Sequence, residues 1–274
     1  MRLSPRHPRY ESLRVRARLA EAMRAGLVVP EGLIAHGRGE AFDYLLGERS
    51  TASARRAART AAAWLLAARH PVLSVNGNVA ALAASEVAEL ARAVPGLAVE
   101  VNLFHRTPQR AAAVARVLRA AGVPRVLGVQ PTATIPRLPS DRAQVDRRGI
   151  FRADLCLIPL EDGDRAEALR ALGKYVISVD LNPLSRTSRS ADLPIVDEVQ
   201  RALREVARAA RARRDRGTPA KMRRFDRRAA LADALATIAR ALSRAGARRP
   251  IARPRRRASR RRFRGTAGRS RRTP

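Results

Sequence analysis

The chain has 274 residues, 46% hydrophobic but only 3% aromatic, and carries a net charge of +32. Ala, Leu and Val must therefore fill its core, which suits helices packed on a sheet and argues against an aromatic-rich β-sandwich. A lone cysteine, Cys156, excludes an internal disulfide framework, and no apolar run approaches the ~18 residues of a membrane span, so a soluble cytoplasmic protein with no signal segment is expected.

Residues 10–25 read as a helix with Leu13, Leu19, Ala20 and Met23 on one face and Gly26 as its stop. A loop over residues 30–39 follows, carrying IAHGRGE. Residues 51–69 form an Ala-rich helix ended by His70-Pro71. The period then changes repeatedly. Short apolar strands are expected at residues 72–75, 99–103, 126–129, 155–160 and 175–179, with a short sixth at 195–196. Between them lie a helix capped by Ser85 and running to residue 94, one opened by Thr107-Pro108 and closed by Gly122, and one near residues 164–172. Such alternation makes βαβ units, hence an α/β fold with a mainly parallel sheet covered on both faces. Ligands of such sheets gather at the carboxyl ends of the strands. The segments placed there are NGN (76–78), NLFHR (102–106), GVQPT (128–132), PLEDGDR (159–165) and DLNPLSRTSR (180–189).

The charge is uneven along the chain. Residues 200–228 hold 12 basic against 3 acidic side chains, and residues 248–274 hold 13 arginines and no acid. The organisation expected is a helical N-terminal segment (1–70) packed on an α/β core (71–207), a C-terminal helical segment (208–247) and a disordered Arg-rich tail (248–274). Such a tail is suited to non-specific contact with nucleic acid. The scarcity of aromatics for base stacking argues against nucleic acid as the main partner.

HGRGE (36–40) sets Arg38 between two glycines. Glycines let backbone amides approach an anion, and arginine offers a planar double donor to phosphate; a solvated glycine loop with a surface arginine is the plainer alternative. No GxxxxGK[ST] or GxGxxG follows a strand, so neither a P-loop nor a dinucleotide fingerprint is present. Asp180 follows the fifth strand, where a carboxylate accepts from ribose hydroxyls, holds a metal or merely caps the next turn. Arg186 and its hydroxyl neighbours suit phosphates. Glu161, Asp162 and Asp164 crowd three acids into four residues, which is costly unless a cation or a basic residue sits among them (Mg²⁺ with nucleotide phosphates and a substrate ammonium are the chemical readings) or they only open the next helix. His7, His36, His70 and Cys156 lack metal-ligand spacing, and Cys156 reads as buried filler.

Taken together and in order, HPRYESL (7–13), GLIAHGRGEAFDYLLGE (32–48), PVLSVNGNVAAL (71–82), EVNLFHRT (100–107), VLGVQPT (126–132), PLEDGDRAEAL (159–169) and VDLNPLSRTSRSAD (179–192) resemble the archaeal phosphopantothenate synthetases over residues 7 to about 207. The resemblance implies a homodimeric, Rossmann-like three-layer α/β ligase of coenzyme A biosynthesis. Such an enzyme joins 4-phosphopantoate to β-alanine through an acyl-adenylate, cleaving ATP to AMP and pyrophosphate with Mg²⁺. It carries nucleotide contacts onto Arg16, Arg38, Asp180, Leu181, Asn182, Arg186, Thr187, Glu198 and Val199, although Glu198 stands where asparagine is expected. Arg38, Glu161 and Asp162 are the residues expected at the chemistry. No nucleophilic side chain is required, because positioning alone contributes ~7–11 kcal/mol to a condensation of this kind. A ligase acting on unphosphorylated pantoate, and a nucleic-acid-binding protein acting through the tail, remain as alternatives.

Overall fold

The computed structural model describes residues 4, 6–7, 9–214 and 224–247; the tail at 248–274, expected to be disordered, lies outside the described residues. Three helices come first: α1 (Tyr10–Arg24), α2 (Pro30–Leu46) and α3 (Ala52–Ala67). Thr51 opens α3 by accepting the Ala54 N–H at 3.0 Å. The α/β alternation then runs β1 (Pro71–Val75), α4 (Gly77–Ala93), β2 (Ala98–Val101), α5 (Pro108–Ala120) and β3 (Val126–Leu127). An excursion follows, consisting of the two-stranded hairpin β4 (Ala133–Thr134) and β5 (Gln144–Val145) with a π-helical turn at Arg147–Phe151. The chain continues as β6 (Leu155–Pro159), α6 (Gly163–Ala171), β7 (Tyr175–Val179), α7 (Arg186–Ser190), β8 (Leu193–Ile195), α8 (Val199–Arg214) and α9 (Arg227–Ala247).

Six strands make one parallel sheet in the order β3-β2-β1-β6-β7-β8. This is the Rossmann-like order, with successive strands added outward on one side of β1 and then on the other. Strand residues alternate between two cores. Leu155 and Leu157 join Leu73, Val75 and Ile177 on the face covered by α3, α4, α5 and α8. Cys156 and Ile158 join Val72 and Val176 on the face covered by α6 and the excursion. The helix–sheet–helix layering follows from strands that are apolar on both sides. Among the described residues, no helix is long and apolar enough to cross a membrane.

Two segments differ from expectation. Residues 30–39 are not a loop but the first part of α2, with Pro30 at its first turn and Gly47 closing it at φ +88°. Glycine inside a helix costs about 1 kcal/mol. At Gly32 the cost has a return, because a Cβ there would stand 2.5 Å from the Asn78 Oδ1. Helix α4 begins at Gly77 rather than near Ser85: Asn76 caps it, and the chain kinks at Ala83 instead of starting afresh.

Candidate active site

Strand order reverses between β1 and β6, which leaves a crevice at their carboxyl ends. Asn76 joins its two walls. Its Oδ1 accepts the Val79 N–H at 3.0 Å, while its Nδ2 donates to the carbonyls of Pro159 and Leu160 at 3.2 and 2.9 Å. Asn78 donates to the Gly32 carbonyl at 2.8 Å and draws α2 over the crevice. Gly77 admits no side chain: a Cβ would lie 2.1 Å from the Leu27 carbonyl oxygen.

On the β7 side, residues 180–188 form a loop that bonds to itself. Asp180 accepts the Asn182 N–H at 2.9 Å and the Ser185 hydroxyl at 2.5 Å. Burial pushes the Asp180 carboxyl up, and the bonds from Ser185 and Asn182, then the charge of Arg38, pull it back. Asn182 accepts the Leu184 N–H on its side chain and the Ser188 hydroxyl on its carbonyl. Leu181 is buried with Leu46, Val196 and Ala234. Thr187 donates its hydroxyl to the Glu161 carbonyl at 2.6 Å, which ties this loop to the end of β6. Arg186 is exposed and pairs with Glu167 at 2.9 Å.

From α2, Arg38 reaches the same loop as an exposed cation with no ion pair among the described residues, and Gly39 faces Leu181. Arg16 of α1 pairs with Glu40 of α2 at 2.8 Å. Burial opposes ionisation of Glu40, but the bonds from Ser12 and Arg16 hold its carboxyl below the usual value. At the end of β8, Glu198 caps α8 by accepting the N–H groups of Gln200 and Arg201 at 2.9 and 3.0 Å, and Val199 is buried behind it. A carboxylate at a helix start is favoured by the macrodipole, so Glu198 fits locally. Arg201 then reaches Asp43 at 2.5 Å and binds α8 to α2.

Glu161 is enclosed. Its carboxylate forms an ion pair with Arg142 Nε at 2.6 Å and accepts from Arg165 Nη1, and the side chains of Glu161, Arg142 and Arg165 are 1%, 7% and 0% exposed. Arg165 also donates to Ser74 at 3.0 Å, while its Nε and Nη2 have no hydrogen-bond partner among the described residues. Asp162 meets Arg142 at 3.2 Å and remains half exposed. Of the two acids expected at the chemistry, Glu161 thus lies in a buried ion-pair cluster and Asp162 faces the crevice rim. Asp164 occupies the first turn of α6. Among the described residues no group of three His, Cys, Asp or Glu side chains could hold a metal. The donors present do not fit a magnesium site made by protein alone, so the ion would need nucleotide phosphates to complete its shell.

Several residues invisible to motif reading shape the site. Glu100 of β2 is fully buried and accepts the N–H groups of Asp146 and Ile150 at 2.8 and 2.6 Å. Burial holds its carboxyl at about 7 against those two bonds. Burial likewise pushes the Cys156 thiol up to about 12, which leaves it unreactive. Arg142 donates to the Asn102 carbonyl just beyond β2 at 3.1 Å, and Arg110 of α5 donates to the Leu27 and His105 carbonyls at 3.1 and 2.5 Å. The only advance signal was the four-residue spacing of Glu161 and Arg165 across the start of α6. A separate surface groove of about 880 Å³ runs between the α2–α3 elbow and α9, lined by Arg49, Arg55, Arg240 and Arg244.

The family model described as phosphopantothenate/pantothenate synthetase matches residues 53–241. A 4-phosphopantoate–β-alanine ligase of Thermococcus kodakarensis is 52% identical over 210 residues, covering 76% of this chain and 80% of the relative. One of Methanospirillum hungatei is 56% identical over 202 residues (74% and 82%). One of Methanosarcina mazei is 53% identical over 204 residues (74% and 80%).

Proposed function

Because the chain belongs to the phosphopantothenate/pantothenate synthetase family, we propose that it joins 4-phosphopantoate to β-alanine to form 4′-phosphopantothenate, a step of coenzyme A synthesis, with ATP cleaved to AMP and pyrophosphate. The observation that carries this reading is the likeness to ligases of that name over three quarters of the chain.

ATP is a consumed co-substrate in this scheme. A carboxylate oxygen of 4-phosphopantoate attacks the α-phosphorus, and the bond to pyrophosphate breaks. The β-alanine amine then attacks the acyl carbon, the bond to AMP breaks, and the nitrogen loses a proton. Asp180 and Asn182 would take the nucleotide's ribose or base edge, with Leu181 behind them. Arg38, Arg186 and Arg16 would face the phosphates, where charge grows as pyrophosphate leaves. Thr187, Glu198 and Val199 complete that wall. Magnesium would arrive with the triphosphate and offset its charge. Asp162, half exposed at the rim, is the acid best placed for a cation there.

We also read the enzyme as a cytoplasmic homodimer, for which the exposed Ile34 and Leu184 offer apolar surface. The test is product analysis. Purified protein with ATP, Mg²⁺ and β-alanine should yield AMP, pyrophosphate and 4′-phosphopantothenate from 4-phosphopantoate. ADP as product would overturn adenylation, and equal turnover of pantoate would overturn the substrate.

A further inference from the structure

We infer that the groove between α9 and the α2–α3 elbow seats the sugar–phosphate backbone of single-stranded RNA, held by Arg49, Arg55, Arg240 and Arg244. This surface is separate from the proposed nucleotide residues and its role does not depend on the ligase reading. The groove lies at the carboxyl end of α2, whereas Arg38 and Gly39 sit near the middle of that helix, with Gly39 facing Leu181.

Two walls carry the charge. Thr237, Arg240 and Arg244 share one face of α9, because residues three and four apart are neighbours on a helix. Arg49, between α2 and α3, and Arg55, in the first turn of α3, stand on the other wall. Arg55 is oriented by its bond to the Ser50 carbonyl at 2.6 Å, and Arg240 by one to the Thr237 hydroxyl at 3.1 Å. All four arginines are exposed, none has an ion pair among the described residues, and no carboxylate lines the groove. The acids closest in sequence do not neutralise them: Asp43 and Asp233 pair with Arg201 and Arg56, and Glu48 pairs with none of the four. Arg204, Arg208 and Arg211 of α8, exposed in the same way, are matched by Glu86, Glu205 and Glu89. Like charges one turn apart repel in the free protein, and a run of phosphates relieves that repulsion.

Shape and chain order favour a polymer over a small anion. A small-molecule site encloses most of its ligand between apolar walls, whereas the cations of this groove are exposed to solvent. Its volume of about 880 Å³ suits a short stretch of one strand rather than a duplex. An unpaired strand is the form in which RNA offers itself to proteins. Tyr44, 44% exposed, is the one aromatic ring in the lining among the described residues, enough to stack a base but not to read a sequence. The sequence that follows α9 adds 13 arginines and no acid, so charge of the same sign continues past Ala245. That sign also excludes the segment as the occupant of the groove.

Fluorescence anisotropy of a labelled oligouridylate of about 16 nucleotides, titrated with the full chain across a salt series, tests the groove. Each phosphate neutralised on a single strand adds ~0.7 to the slope of log affinity against log salt. Four contacts therefore add about 3, or about 50-fold in affinity between ~50 and ~200 mM salt. Joint replacement by Arg49→Gln, Arg55→Gln, Arg240→Gln and Arg244→Gln should flatten the slope by that amount, while Tm and ligase turnover stay close to wild type. Arg244→Gln alone should flatten it by ~0.7, which keeps the test open if the fourfold variant folds poorly. Lysine at all four positions retains the charge and should retain most of the slope. An unchanged slope in the glutamine variants overturns the groove and leaves RNA binding to the rest of the chain. Equal losses with glutamine and with lysine overturn it as well, because retained charge then fails to retain the contact. No binding by wild type overturns it outright. Duplex DNA or polyglutamate bound more tightly than the oligonucleotide through the same arginines, or RNA displaced by tripolyphosphate at equal phosphate concentration, would each overturn single-stranded RNA as the partner.

Discussion

Glu161→Gln is expected to act on stability before it acts on catalysis. The carboxylate neutralises two guanidiniums, and all three side chains are at most 7% exposed. Removing the charge leaves Arg142 with Asp162 at 3.2 Å. Arg165 fares worse, because the Ser74 hydroxyl is its other bond and two of its nitrogens have no hydrogen-bond partner among the described residues. Breaking one side of a buried pair costs about 3–5 kcal/mol, most of it the desolvation of the charge left behind. At roughly 2–4 °C per kcal/mol for a chain of this size, Tm should fall by about 6–20 °C. Urea denaturation and thermal melting of wild type and Glu161→Gln measure this. Joint replacement, Glu161→Leu with Arg165→Met, should restore about 2 kcal/mol or more relative to the single variant, because no uncompensated charge remains. A Glu161→Gln protein as stable as wild type but devoid of ligase activity would refute the structural role and return Glu161 to the chemistry.

Three further outcomes follow from the site. Asp180→Asn should raise the Kd for AMP measured without Mg²⁺ by ~10–100-fold, through lost charged hydrogen bonds and a loosened loop; equal affinities would make Asp180 a metal ligand instead. Arg38→Ala should stay folded, since Arg38 is exposed and has no ion pair among the described residues, while kcat/KM for ATP falls by about 10-fold or more; near-normal kinetics would remove Arg38 from the phosphate site. Glu100, held at about 7 when folded and near 4.5 when unfolded, favours the protonated folded state. Its stabilisation is complete below the unfolded value and is lost as pH rises through 7. Unfolding free energy should therefore drop by about 3 kcal/mol between pH 5 and 8 from this group, a slope that Glu100→Gln lacks when compared with wild type across that range.

Much of the scaffold could be read from local chemistry. Thr107 caps the helix expected of it, the Ala-rich helix expected over 51–69 forms with Thr51 as its cap, and the apolar strands fall within one or two residues of their places. Those signals depend on near neighbours. Helix α2 was hidden because its glycines contradict helix propensity, and only the approach of Asn78 to Gly32 explains one of them. Asn76 read as the end of a strand because its bonds to Pro159 and Leu160 cross eighty residues of sequence. The excursion at 133–151 has strands of two residues, too short for any period to show. In the site, Asp180 and Asn182 were legible as polar residues at a strand end. Glu161 is legible as an acid in need of a nearby cation, but the chain order does not reveal that Arg142, arriving from the excursion, and Arg165 supply it. Arg110 could not be told from its many fellows, since its meaning lies in the two carbonyls that fix it.

Pyrophosphate–ATP exchange bears most directly on the ligase reading. With labelled pyrophosphate, ATP, Mg²⁺ and 4-phosphopantoate but no β-alanine, an acyl-adenylate must form and revert, so label should enter ATP. That exchange should require 4-phosphopantoate and vanish when it is left out. Absence of exchange, in a preparation that makes 4′-phosphopantothenate once β-alanine is added, would contradict a freely reversible adenylation and require carboxylate activation by another route.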